Sequence, residues 1–136
     1  MKKKLFSLCL PLLFACSSEA PQNLGANNGR LLACPDSPNC VSSFETSEEH
    51  GITPLAANLE QIEQLLLTLG EANIIDADEN YLRAEFTSSL MRYVDDVEFL
   101  RDDGSNITHV RSASRVGHSD MGVNRERIEM IRSNTQ

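Results

Sequence analysis

Between residues 73 and 113 the chain alternates apolar and polar side chains, and short polar turns break it into candidate strands. Over 81–89, Leu82, Ala84 and Phe86 fall on one face, with Arg83, Glu85 and Thr87 on the other. A shorter candidate at 73–76 is joined to it by Asp78-Glu79-Asn80. A third, over 93–101, carries Val94, Val97, Phe99 and Leu100 and stops at Asp102-Asp103-Gly104-Ser105; a fourth returns over 106–113. Parallel neighbours need a crossover of a dozen or more residues, so strands joined this closely pair antiparallel.

Such a sheet needs a cover for its apolar face. Leu59, Ile62, Leu66 and Leu69 recur at helical spacing over 58–69. Asn58 and Gln61 read as a capping pair, Glu60 and Glu63 suit the positive end of the helix dipole, and Gly70 reads as the stop. A closing helix follows a loop over 115–120 and places Met121, Asn124, Ile128 and Ile131 on one face. The expectation is a two-layer α+β domain over 31–136, with an about four-stranded, mainly antiparallel sheet and two helices on one face. A chain of 136 residues suits one such domain.

The start of the chain is of a different kind. Lys2, Lys3 and Lys4 precede an apolar run over 5–15, which reads as a signal peptide over 1–15. The run is too short to span a bilayer, which takes roughly 20 residues. Leu13-Phe14-Ala15-Cys16 resembles the bacterial lipobox, with Phe14 an unusual occupant, and this makes Cys16 the lipidated residue. Two acyl chains suffice for stable attachment. Ser17, where aspartate would signal retention, points to the periplasmic face of an outer membrane; the alternatives are the periplasm and the outer face of the cell membrane. Residues 16–30, rich in glycine and asparagine, read as a flexible tether with a reach on the order of 20 Å.

Removing the three lysines takes the formal charge from −8 to −11, and every remaining cation is arginine. That composition excludes nucleic acid as a partner, since phosphate backbones call for a basic footprint. Cys34 and Cys40 in an exported chain read as a disulfide. Their spacing is not that of a redox pair, and with His50 they would lack a fourth metal ligand. Closing about seven residues is worth roughly 2.4 kcal/mol by chain entropy, and less because Pro35 and Pro38 already restrict the loop. The clip therefore shapes its loop more than it stabilises the fold. His50 itself reads as a surface residue.

Residues 111–127 hold four arginines, two glycines and one aspartate at a strand-to-helix corner. Asp95, Asp96, Arg111, Ser112, Ser114, Arg115, Asp120, Asn124 and Arg125 make a candidate polar or anion site there. Gly117 and Gly122 would let backbone approach closely. A helix beginning near Ser119 or Asp120 would offer free N–H groups, and Arg111 and Arg115 forked donors. It is not a phosphate-binding P-loop, because Val123 stands where the lysine belongs. The competing structural reading pairs Asp95 and Asp96 with Arg111 and Arg115 in a buried network, with Asn124 bonded to backbone. An enzymatic alternative is a small hydrolase or metal-dependent enzyme using His118, Asp120 and Ser114. Asp95 and Asp96 cannot act as a carboxylate pair, because neighbours on a strand face opposite sides. His109 likewise faces away from Ser112. None of these motifs requires a cofactor or a resident metal.

Three stretches together carry a resemblance: Cys34-Pro35-Asp36-Ser37-Pro38-Asn39-Cys40-Val41-Ser42-Ser43, then Tyr93-Val94-Asp95-Asp96-Val97-Glu98-Phe99, then Arg111 to Gly117 with Ser119, Asp120, Gly122, Val123, Asn124 and Arg125. In this order they resemble the bacterial domain-of-unknown-function family 1499 over about residues 31–132. The resemblance implies an exported protein or lipoprotein and brings no catalytic role. The expected function is a membrane-anchored cell-envelope binding or scaffold module with an arginine-rich polar surface. Its partner would be an envelope protein or a small anionic ligand.

Overall fold

A computed structural model describes residues 19–135; Cys16 and the signal-like segment lie outside the described residues. Five strands form one antiparallel sheet in the order β1-β5-β4-β3-β2. They are β1 (Cys40–Ser42), β2 (Ala72–Ala77), β3 (Tyr81–Thr87), β4 (Val94–Arg101) and β5 (Thr108–Ser114), with α1 (Leu59–Leu66) before β2 and α2 (Val123–Asn134) closing the chain. The α+β architecture, the antiparallel pairing and the helix pair are as the sequence predicts.

The fifth strand, β1, is the addition. It has three residues, pairing Cys40 with Ala113 and Ser42 with Arg111. Three residues are too few for a period of two to show, and β1 exists because the disulfide loop delivers it to the edge of β5. Cys34 and Cys40 are bridged, with Cα atoms 5.7 Å apart.

Leu82, Ala84, Phe86, Val97, Phe99 and Val110 project from the sheet to one side, where they pack with Ile62 and Leu66 of α1 and Ile128 and Ile131 of α2. The predicted capping box of α1 is present: Gln61 N–H donates to Asn58 Oδ1 at 2.9 Å, and Asn58 N–H to Gln61 Oε1 at 3.0 Å. The helix stops three residues earlier than its leucines suggest. Thr68 turns its hydroxyl onto the Leu65 carbonyl at 2.7 Å, a side-chain bond of the kind that competes with helix continuation. Two arginines of α2 hold the segment that precedes α1: Arg125 donates to the Gly51 and Glu49 carbonyls at 2.8 and 3.1 Å, and Arg132 to those of Pro54 and Thr53 at 2.7 and 2.6 Å. His50, expected at the surface, is mostly covered, and its Nδ1 sits 2.9 Å from the Cys40 carbonyl.

The other side of the sheet is covered by chain rather than helix. Leu31 and Phe44 pack against Tyr81 and Leu100, and the Phe44 ring stacks on His109 with centroids 4.3 Å apart. Gly25, in the described part of the expected tether, donates its N–H to Glu98 at 2.8 Å, and Asn27 and Arg30 form a backbone bridge. Pro21 lines one hollow with Asp96, Ala113 and Arg115 and another with Asp76, Asp78 and Arg83. From Pro21 onward, this segment is therefore laid along the sheet as a strap. Among the described residues no helix is long and apolar enough to cross a membrane.

Candidate functional site

The strand parity of β4 divides the candidate residues between the two sides of the sheet. Asp95 shares the helix side with Val97 and Phe99, whereas Asp96 and Glu98 share the strap side. On β5 the same parity puts Ser112 and Ser114 with the helices and Arg111 under the strap, while Arg115, one residue beyond β5, also reaches that side.

Under the strap the guanidinium groups are consumed by carboxylates. Arg115 donates to both oxygens of Asp96, at 2.7 and 2.8 Å, and also to Glu85. Arg83 reaches Asp96 at 3.1 Å. The bond to Asp96 raises the Arg115 pKa, against the opposing effect of burial. Arg111 pairs with Glu98 at 3.3 Å, and not with Asp95 or Asp96. Glu98 is fully buried and also accepts from the Tyr81 hydroxyl at 2.9 Å and from Gly25 N–H. Burial, then the Glu98 carboxylate, pushes the Tyr81 pKa upward. Three arginines thus face three carboxylates, Glu85, Asp96 and Glu98. The cluster is neutral, which leaves no net positive charge to attract an outside anion. One donor, Arg111 Nε, is buried without a hydrogen-bond partner among the described residues.

Between sheet and helix the hub is Asn124, fully buried on the first turn of α2. Its Oδ1 accepts from Ser112 at 2.6 Å and from Arg127 at 2.8 Å. Its Nδ2 donates to Asp120, to Ser114 and to the Asn39 carbonyl at 2.8, 2.9 and 3.2 Å. Arg127 also binds Asp95 at 2.6 Å and lies over the Phe86 ring, 4.7 Å from its centroid. The sequence placed Asn124 on the apolar face of the helix, but it binds a side-chain knot as well as backbone.

Asp120 occupies the place where an anion was expected. The helix begins at Val123 rather than at Ser119 or Asp120, and the Asp120 carboxylate accepts from Gly122 N–H at 3.0 Å and Asn124 N–H at 2.9 Å. Burial would raise its pKa, but these bonds outweigh burial and lower it. Met121, expected on the apolar helix face, precedes the helix and is 91% exposed. Gly117 and Gly122 have φ of 85° and 86°, and a Cβ on either would meet nothing within 4 Å. The requirement there is backbone conformation, not close approach.

The residues of the enzymatic alternative have other partners or face solvent. His118 is exposed and makes no hydrogen bond to Ser114 among the described residues, while Ser114 is taken by Asn124 and Asp120 by the helix start. No three His, Cys, Asp or Glu side chains of the described residues converge as metal ligands. Arg125 stands apart from the other candidates, its guanidinium turned to the loop before α1.

Above the knot is a cleft of about 470 Å³, lined by Tyr93, Asp95, Ser114, Val116, Gly117, Asp120 and Val123 among others. That is within the range of small-molecule sites. Asn39, which sequence reasoning passed over, closes the corner from the clipped loop. Its Nδ2 donates to the Gly117 carbonyl at 2.9 Å, and its own carbonyl accepts from Ser114 N–H and Asn124. Its burial, 4% exposed, is what calls for those partners, and the sequence does not show it. The three sequence stretches singled out above meet at this one corner. Residues 30–134 match the profile of a family described as a protein of unknown function, DUF1499.

The chain belongs to DUF1499. No curated protein and no solved structure gives a match. In this DUF1499 chain the matched span begins at Arg30, so it takes in the clip, the sheet and both helices but not the strap residues Pro21 and Gly25.

Proposed function

We propose that this chain is an exported protein, anchored by lipid on Cys16 at the periplasmic face of an outer membrane, and that it works there as a binding or scaffold module of the envelope. Its contact surface is the cleft at the strand-to-helix corner. The observation that carries this reading is the state of the polar groups around it. Asp95, Ser114, Asp120, Asn124 and Arg127 bind one another and hold the corner in one shape, while Tyr93, Val116 and Val123 present exposed apolar walls above them. A corner made rigid by buried hydrogen bonds and faced with apolar side chains suits recognition. The buried guanidinium groups support that shape and do not themselves form the contact.

Fractionation of cells expressing the full chain tests the anchor. Cys16→Ala is expected to move the protein from the membrane to the soluble exported fraction, and continued sedimentation with membranes would refute the anchor. A photo-crosslinking residue at Tyr93 tests the contact surface in the same cells. Adducts are expected, and a chain that forms none with protein or lipid has no partner at this corner.

A further inference from the structure

Six of the nine exposed large hydrophobic residues among the described ones stand at this one end of the sheet: Leu90, Met91, Tyr93, Val116, Met121 and Val123. Leu90 and Met91 lie on the turn between Ser88 and Tyr93, and Met121 lies between Asp120 and Val123; Ser88, Tyr93, Asp120 and Val123 all line the cleft. Leu90 is 87% exposed and Met121 91%. Concentration of this kind marks an interaction surface, whereas scattered apolar residues do not.

The backbone holds Met121, and Arg92 next to Met91, in place at some cost. Arg92 has φ of 58° and Met121 of 56°, in the left-handed region that side chains other than glycine and asparagine avoid. Outliers of this kind persist where the surrounding structure imposes them. At Met121 the result is an apolar side chain turned to solvent beside a fixed helix start.

Where the chain leads from here decides the partner. Followed backward, the strap runs from Gly25 at Glu98 to Pro21, which lines one hollow with Asp96, Ser114 and Arg115, toward the end of the sheet that bears the exposed patch, and another with Asp76, Asp78 and Arg83. Cys16 is five residues before Pro21. Five residues span at most about 18 Å. A lipid on Cys16 would hold the exposed patch within reach of the bilayer. The charges agree. Arg92 is exposed at the rim with no ion-pair partner among the described residues, while the cleft's Asp95 is paired with Arg127 and its Asp120 is tied to backbone N–H groups. Arginine and tyrosine are side chains that settle at the headgroup level, above apolar side chains that dip below it.

We infer that the corner docks on the phospholipid surface to which the chain is anchored, with Leu90, Met91 and Met121 entering the headgroup–acyl boundary and Tyr93 and Arg92 at the headgroups. This rests on the lipid-anchored reading and names the partner of the same corner.

The chain has no tryptophan, so single substitutions make clean reporters. Met121→Trp and Leu90→Trp probe the rim; Ile107→Trp, on the β4–β5 turn, probes the far end of the sheet. Full-length acylated variants are reconstituted into phosphatidylethanolamine–phosphatidylglycerol vesicles carrying brominated acyl chains, after mass measurement of the Cys16 modification. The rim reporters are expected to lose emission and shift to the blue, while Ile107→Trp keeps both intensity and wavelength. An acylated protein with unquenched rim reporters, or with all three quenched alike, overturns the docking surface and leaves the anchor standing. Rim reporters shielded in whole envelopes but unquenched in vesicles assign the corner to a protein partner and also overturn the inference. A mass with no acyl group on Cys16 removes the anchor and the docking with it.

Discussion

Where α1 and α2 cover the sheet, the buried polar groups are mostly short and gathered on Asn124 with Ser112, Ser114 and Asn39, beside a single ion pair, Asp95 with Arg127. Under the strap they are long and charged, three arginines against Glu85, Asp96 and Glu98. The difference follows from what does the covering. A helix brings a continuous apolar stripe that seals most of its side, so only the corner at its first turn needs polar partners. A strap has no such stripe. It offers backbone groups, such as Gly25 N–H on Glu98, and the sheet beneath it balances its own charges. A buried charge persists only when paired, and losing one partner costs more than the pair contributes.

Breaking the strap side should therefore have the largest effect. Glu98→Ala leaves Arg111 buried and unpaired, and about 3–5 kcal/mol of stability is expected to be lost in urea unfolding. Glu98→Met combined with Arg111→Met removes both charges and should recover most of that loss. A double variant as unstable as the single one would show that the pair itself, and not the abandoned charge, carried the energy.

On the helix side, Asn124→Ala strands several short partners at once, with an expected loss of about 2–3 kcal/mol. If Asn124→Ala proves costlier than Glu98→Ala, the ordering of the two sides is wrong. Smaller again is the clip, since Cys34→Ser with Cys40→Ser should cost about 2 kcal/mol or less. An intact mass without reductant should be two protons lighter than the reduced chain.

The finest separation is by pH. The Asp120 carboxylate is held low, so the fold favours its charged form. Its contribution is complete above the unfolded-chain value of roughly 3.9 and is lost as pH falls through the lower folded value. Tyr81 is held high, so the fold favours the protonated hydroxyl. Its contribution is complete below the unfolded value of roughly 10 and is lost as pH rises through the higher folded value. Asp120→Asn should flatten only the acid limb of stability against pH, and Tyr81→Phe only the alkaline limb. Variants that alter both limbs would show that the two sides are coupled through the sheet.

Much of the fold could be read locally. The capping box at Asn58 and Gln61, the alternation of β3 and the pairing of Cys34 with Cys40 each depend on residues close in sequence. The site was legible in its residues but not in its pairings. Asp96 with Arg115 was within reach of the sequence. Arg111 with Glu98, and Asp95 with Arg127, were not, because each depends on which residues stand opposite across β4 and β5 and on where α2 crosses them. With the Glu98–Arg111 register in hand, the parity of β4 separates Asp95 from Asp96 at once.

By itself the sequence determined four of the five strands, the two helices, the clip and the acidic charge. Those rest on side-chain period, turn chemistry and residue type, all of which act over a few neighbours. Only the tertiary structure decided that Arg83, Arg111 and Arg115 turn inward, that the chain from Pro21 to Gly25 lies on the sheet, and that six apolar side chains are left outside at one end. Burial is a property of the assembled surface. A guanidinium goes in when the opposite strand brings a carboxylate, and an apolar side chain stays out when no element remains to cover it.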